Sequence, residues 1–255
     1  MFAKNSLTMP GGYDLRVFDV LDSSNAECRR IVEQEGATGN IWVVAGSQTM
    51  GRGRRGRTWE SPDGNIYASV LYGIDCDLAA ASGLSFVAAL AVRDTVADIL
   101  QAPDRVSCKW PNDILVEGRK ISGILLETAG PGHEMPSHVI IGIGINVSHH
   151  PEDTLYPATD LNGEAGRKIA REQVAENLIH SLAHWISRWE SSGFPPIRKA
   201  WKACAHGVGE DIIVRLPGEE LQGRFVDLDK AGALILEFDG KRRHITAGDI
   251  FFTQG

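Results

Sequence analysis

The chain has 255 residues, a formal net charge of −7, and is 43% hydrophobic and 23% charged. This composition excludes disordered, collagenous and disulfide-scaffold classes, and the length suits one large domain or a medium one with a small companion. An acidic total argues against a general nucleic-acid or anionic-membrane binder, though it leaves room for a local basic patch. Cys28, Cys76, Cys108 and Cys204 lie far apart with no Cys-x-x-Cys pair, so they read as reduced residues of a cytoplasmic protein. The N-terminus, MFAKNSLTMPGGYD, has no apolar signal-peptide core.

In chain order, residues 15–20 read as a strand. Ser24 and Glu27 then read as a capping box opening a helix that ends near Gly36. Residues 41–45 are a β-branched strand, followed by a long Gly-, Arg- and Pro-rich loop and a strand over 66–72. A single helix is expected over 78–100; its apolar part is too short and too interrupted by Ser82, Gly83 and Ser85 to span a bilayer. Strands follow over 106–110, 114–117 and 120–127, the last two joined by a tight Glu117-Gly118-Arg119 hairpin. Residues 139–147, VIIGIGINV, form another strand, and 171–192 an amphipathic helix; Pro195-Pro196 precedes a shorter helix. From about residue 207, short strands alternate with Gly and Asp turns, which suits a small antiparallel barrel or sandwich. The expected domains are 1–205, mixed α and β, and 206–255, all β.

Four segments carry candidate chemistry. Residues 51–57, GRGRRGR, hold four arginines and three glycines. They formally match G-x-G-x-x-G, but the following Trp59-Glu60-Ser61-Pro62 forbids the helix that a dinucleotide fingerprint needs. An arginine-rich nucleic-acid patch, a mobile clamp for phosphate or carboxylate, and a solvated basic loop remain as readings. In Lys109-Trp110-Pro111-Asn112-Asp113 the proline breaks the strand, so Asn112 and Asp113 either turn toward a site or cap their own turn. Residues 119–127, RKISGILLE, place Lys120 at the start of an apolar strand that Gly123 interrupts. Gly142 and Gly144 bare one face of their strand, so that a planar ring could lie there and bond Asn146, or a helix could pack closely. There is no P-loop, no G-x-S-x-G elbow, and His180 and His184 lack the glutamate of a zinc protease.

Together these segments closely resemble the bacterial biotin protein ligases. Asp22-Ser23-Ser24-Asn25, Gln48 with GRGRRGR, KWPND, RKISGILLE and GIGIN occur in that family's order. The resemblance implies an α+β fold: a mixed sheet with flanking helices, like class II aminoacyl-tRNA synthetases, plus a small C-terminal SH3-like β-barrel. It implies ATP-dependent formation of biotinyl-5′-AMP with Mg²⁺, then transfer to a lysine of a biotin carboxyl carrier protein. Ser23, Ser24, Asn25, Gln48, Gly51, Gly53 and Gly123 would lie about biotin. Arg52, Arg54 and Lys120 would be catalytic and meet its carboxylate and the phosphate, while Arg54, Arg57, Trp59, Asn112, Asp113 and Asn146 would face the adenylate. Asp113 matches an aspartate of that family's active site, in a metal- or nucleotide-facing role, and the resemblance implies no full set of metal ligands. The family commonly has Thr at Ser24 and Ala at Met50; the latter departure adds bulk at the loop root.

About twenty residues precede the Ser-Ser-Asn element, too few for the DNA-binding domain some members carry, so a ligase without operator binding is expected; with the acidic total and no bilayer-spanning run, no nucleic-acid or membrane partner is expected. The resemblance allows a homodimer through sheet edges, although no stretch marks an interface. A lipoate or octanoate ligase of the same fold is the nearest alternative.

Overall fold

The computed structural model describes residues 7–36, 39–130, 137–152, 154 and 156–252; the first six residues of the polar N-terminus lie outside these. The larger sheet contains β1 (Tyr13–Leu21), β2 (Asn40–Gln48), β3 (Ile66–Gly73), β4 (Val106–Lys109), β5 (Asp113–Val116), β6 (Arg119–Ala129) and β7 (His138–Ile145). Their order is β1-β2-β3-β7-β6-β5-β4. β1 and β2 run parallel, and the other pairs are antiparallel. Because side chains alternate across a strand, β2 feeds two cores. Trp42 and Val44 join the large apolar cluster on one face; Ile41 and Val43 join Cys28 and Ile31 of α1 (Ser24–Glu35) on the other. Helices α2 (Leu78–Ala81), α3 (Leu84–Leu100), α4 (Leu161–Ala165), α5 (Arg171–Ser192) and α6 (Phe194–Ala203) complete the main layer.

Three local expectations change. Ser23, not Ser24, is the N-cap of α1, and its side chain makes no capping bond. The two-residue link from β1 leaves Ser24 as the first helical residue, where its hydroxyl turns to Gln48, and Glu27 pairs with Arg30 at 2.7 Å. Gly36 does close the helix, at φ 62°. The helix expected over 78–100 is broken at Ser82-Gly83, where a Cβ on Gly83 would stand 3.1 Å from the Phe194 ring and 3.3 Å from the Trp189 indole. The chain bends there because α6 and the end of α5 press against it. Pro195 and Pro196 lie in the first turn of α6 rather than before it, where a missing N–H leaves no intrahelical bond unmade. The β5–β6 hairpin forms as expected, with Glu117 and Gly118 both at positive φ.

β8 (Asp211–Leu216), β9 (Glu219–Leu228), β10 (Leu234–Phe238), β11 (Lys241–Ile245) and β12 (Asp249–Phe252) form a second sheet of order β11-β10-β9-β8-β12, antiparallel throughout. Among the described residues β11 and β12 do not pair, so this is an open sheet rather than the closed barrel expected. The exposed Lys241-Arg242-Arg243-His244 stretch of β11 gives a charged edge. Backbone bonds from Cys108 N to Cys204 O and from His206 N to Cys108 O, each 2.8 Å, join the second sheet's approach to the edge strand β4. The buried Trp110 indole donates to Gly232 O at 3.1 Å, and Gly232 lies against the Phe86 ring, which would stand 2.7 Å from a Cβ there.

No described helix is long and apolar enough to cross a membrane. Trp110→Phe removes both the buried donor to Gly232 O and one ring of a fully buried indole. It should lower the unfolding free energy by at least about 2 kcal/mol, read as a lower urea midpoint; an unchanged midpoint would show that neither the bond nor the ring contributes to docking of the second sheet.

Candidate active site

The glycines of β6 and β7 create the site. Gly123 and Gly144 are register partners on adjacent strands. A Cβ on Gly144 would lie 2.6 Å from the Trp59 indole nitrogen, one on Gly123 2.9 Å from the same ring, and one on Gly142 2.2 Å from Asn25 Oδ1. The bare strand face therefore does receive a planar ring, and that ring is the protein's own Trp59. Around it opens a cavity of about 450 Å³.

One wall of the cavity is polar. Ser23, Ser24 and Asn25 are all buried and stand where β1 enters α1. The Ser24 N–H donates to Gln48 Oε1 at 2.7 Å, and its hydroxyl lies 3.1 Å from the same oxygen. The Ser69 hydroxyl sits 2.7 Å from Ser24 Oγ and 2.6 Å from Asn25 Oδ1. Two hydroxyl protons thus serve three side-chain contacts, and a ligand can claim an acceptor without breaking the wall. Asn25 Nδ2 donates to Glu127 at 2.7 Å. Gln48 Nε2 donates to Ser61 Oγ at 3.0 Å.

The arginine loop roofs the cavity. It is pinned at its root by Trp59 N to Gly51 O, 2.9 Å, and by an Arg52–Thr58 bridge, with a single 3-10 turn at Arg54–Gly56 and no following helix. Gly51 itself does not line the cavity. Its place is the loop root, where a Cβ would meet Trp59 O at 2.3 Å and Ser61 Oγ at 2.4 Å. Each arginine has a carboxylate or carbonyl partner. Arg52 reaches Glu127 at 3.0 Å; Arg54 reaches Asn112 Oδ1 at 3.2 Å and Gly248 O at 3.4 Å; Arg55 and Arg57 meet Asp249 at 3.2 and 2.9 Å. Burial pushes the Arg54 guanidinium pKa down, a sign of how far it is withdrawn from water. Met50 is 67% exposed, so its extra bulk lies in solvent rather than under the loop root.

On the opposite side, Lys120 Nζ pairs with Asp113 Oδ1 at 2.7 Å and stands 5.4 Å from the Trp59 ring centre. Asn112 Nδ2 donates to Ile124 O at 2.6 Å. Asn146 is buried, and its Nδ2 donates to Thr159 O at 3.0 Å. Gly53, Arg57, Trp59 and Asn146 all line the cavity. No group of three or more His, Cys, Asp or Glu placed to hold a metal exists among the described residues.

Sequence reasoning missed several participants. Ser69 was a hydroxyl in an otherwise apolar strand, a signal available to inspection. Asp249 and Tyr156 had none, because only the fold brings them near. Tyr156 stacks on Phe251 of the second sheet, with ring centres 4.9 Å apart, and Lys109 Nζ lies 3.0 Å from its ring centre. Lys109 is buried, and burial pushes its pKa down to about 7.

Two outcomes follow. Between pH of about 7 and the ~10.4 of an unfolded lysine, the unfolded chain binds the extra proton at Lys109, so the unfolding free energy contributed by this group rises with pH. Urea midpoints should therefore show wild type gaining on Lys109→Met as pH rises above about 7, and a pH-independent difference would refute the shift. In Gly144→Ala, the new methyl should lift the Trp59 indole from the sheet and red-shift tryptophan emission. The shift should vanish in a Trp59→Phe background; persistence there would mean that another tryptophan moved.

Residues 17–146 match the biotin/lipoate A/B protein ligase family, and residues 207–253 the biotin protein ligase C terminal domain. The chain is 39% identical over 236 residues to the biotin–[acetyl-CoA-carboxylase] ligase of Paracoccus denitrificans, covering 91% of this chain and 97% of that one. It is 32% identical to the enzyme of that name from Mycobacterium tuberculosis, covering 94% and 89%. The structure of the biotin protein ligase from Aquifex aeolicus in complex with biotin and ATP superposes with a TM-score of 0.79 at 26% identity, covering 95% of this chain and 99% of that one. The chain belongs to the biotin/lipoate A/B protein ligase family, within its biotin protein ligase branch.

Proposed function

We propose that in this cavity the biotin carboxylate attacks the α-phosphorus of ATP, the α–β P–O bond breaks and pyrophosphate leaves, and the resulting biotinyl-5′-adenylate passes biotin to a lysine of a biotin carboxyl carrier domain. The observation that carries the reading is a single cavity in which a buried Ser-Ser-Asn wall and an arginine-rich roof face each other across a glycine-bared sheet. A ureido ring offers two N–H donors and one carbonyl acceptor, which the hydroxyls and amides of Ser23, Ser24, Asn25 and Gln48 can satisfy. The aliphatic chain of a lipoate or octanoate offers this wall no donor or acceptor and so forgoes the hydrogen bonds a ureido ring can make, which disfavours the alternative substrates.

The reaction brings a carboxylate against a phosphate, two anions. Lys120 would leave Asp113 in part to meet the biotin carboxylate, and Arg52 and Arg54 would offset the charge growing on the phosphoryl oxygens. Arg57, Trp59, Asn112 and Asn146 would contact the adenylate. Mg²⁺ would enter with ATP, held mainly by phosphate oxygens with Asp113 as a cavity-lining carboxylate that could join them, and would neutralise phosphate charge. The mixed anhydride hydrolyses readily, so the roof also has to exclude water. In the second step the carrier lysine attacks the carbonyl carbon, the C–O bond to phosphate breaks and AMP leaves. No enzyme nucleophile is needed.

ATP–pyrophosphate exchange with biotin, lipoate and octanoate tests the reading: exchange should occur with biotin, and exchange with lipoate or octanoate instead would overturn it. Lys120→Ala should cut biotin-dependent exchange about 10²-fold with an unchanged far-ultraviolet spectrum. Wild-type rates in that variant would remove the lysine from the mechanism. Arg54→Gly should release adenylate faster, read as free biotinyl-AMP in a spin-column assay; unchanged retention would count against the roof.

A further inference from the structure

The motif RKISGILLE ends on Glu127, and the proposed reaction gives that residue no task. Its carboxylate nevertheless sits where the two halves of the site meet. One oxygen, Oε2, accepts from Asn25 Nδ2 at 2.7 Å and from Arg52 Nη2 at 3.0 Å. The other oxygen lies 3.8 Å from Arg29 Nη2 on the outer side of α1.

The Asn25 end of this arrangement is buried, and its amide is held from both sides: Oδ1 faces the Ser69 hydroxyl and Nδ2 faces Glu127. Gly142 leaves the space for it, since a Cβ there would be 2.2 Å from Asn25 Oδ1. The carboxylate cannot swing toward solvent without leaving a buried amide hydrogen unpaired. That distinguishes it from an ordinary surface ion pair, which contributes little. At the other end, Arg52 leaves the loop root beside Gly51, and its other tie is the backbone bridge to Thr58. Asn25 and Arg52 come from different elements, and β6 supplies the acceptor that both share.

We infer that Glu127 is a positioning residue that sets the polar wall and the arginine roof against one another through a single shared oxygen. The inference rests on the biotin ligase reading for its ligand. Its structural content is independent of it: neutralising Glu127 frees the loop root and loosens the Asn25 amide together. Charge-assisted hydrogen bonds are the stronger kind, so Glu127→Gln, which keeps an oxygen for Asn25 but removes the charge facing Arg52, should act mainly through the loop.

The test uses the full chain in two assays. In ligand-free protein, trypsin should cut within residues 52–57 several-fold faster in Glu127→Gln than in wild type. Arg52→Ala, a change at an exposed position, should give the same acceleration from the other end of the tie, which keeps the test open should Glu127→Gln fail to fold. In biotin-dependent ATP–pyrophosphate exchange, Glu127→Gln should raise KM for biotin about tenfold with kcat within about twofold, and the same change in an Arg52→Ala background should have a much smaller effect. Wild-type cleavage rates in both variants, or equal KM effects of Glu127→Gln in the two backgrounds, would overturn the inference. If wild type shows no exchange with biotin, the ligase reading fails, and the cleavage assay still decides whether the tie holds the loop.

Discussion

Close approach to the backbone of β6 and β7 governs this molecule. Three glycines, Gly123, Gly142 and Gly144, strip the sheet where it faces the cavity, and the space is taken by the indole of Trp59 and the amide of Asn25. Any side chain at these positions would separate the loop bearing Trp59 from the sheet, or the start of α1 from β7. The polar wall, the roof and the cavity between them all depend on that narrow spacing. The Trp59 indole nitrogen is buried without a hydrogen-bond partner, a group for a ligand or a loop movement to satisfy.

Charge balance is the second organising theme. An acidic chain concentrates four arginines in one loop, and the fold answers with acceptors from three distant segments: Glu127 on β6, Asn112 before β5, and Gly248 with Asp249 at the start of β12. Asp249 divides its two oxygens between Arg55 and Arg57. The second sheet thereby reaches the roof of a cavity built by the first. Tyr156 makes a parallel connection, lying between Lys109 and Phe251.

Much of the site was legible because short-range patterns carried it. Ser23-Ser24-Asn25, the arginine loop, Asn112-Asp113, Lys120 and the alternate glycines each stand out from their surroundings, and the structure gathers them about one cavity. The errors were also local in kind. Ser24 followed by Glu27 satisfies the capping-box pattern, yet the tight turn from β1 places Ser23 at the cap. The apolar run through Gly83 satisfies a helix pattern, yet packing by Phe194 and Trp189 decides where the chain bends.

By itself the sequence determined the strands and the longer helices, where the chemistry-bearing groups lie along the chain, and the family to which their order belongs. Periodicity and turn chemistry are properties of neighbouring residues, so they survive without coordinates. The tertiary structure alone decided that the planar ring over the bared sheet is Trp59, that Ser69 joins the polar wall, and that Glu127 and Asp249 hold the arginines. Those pairings join residues 44 to 194 positions apart. A hydrogen bond or ion pair across such a separation depends on distance in space, which no local pattern encodes.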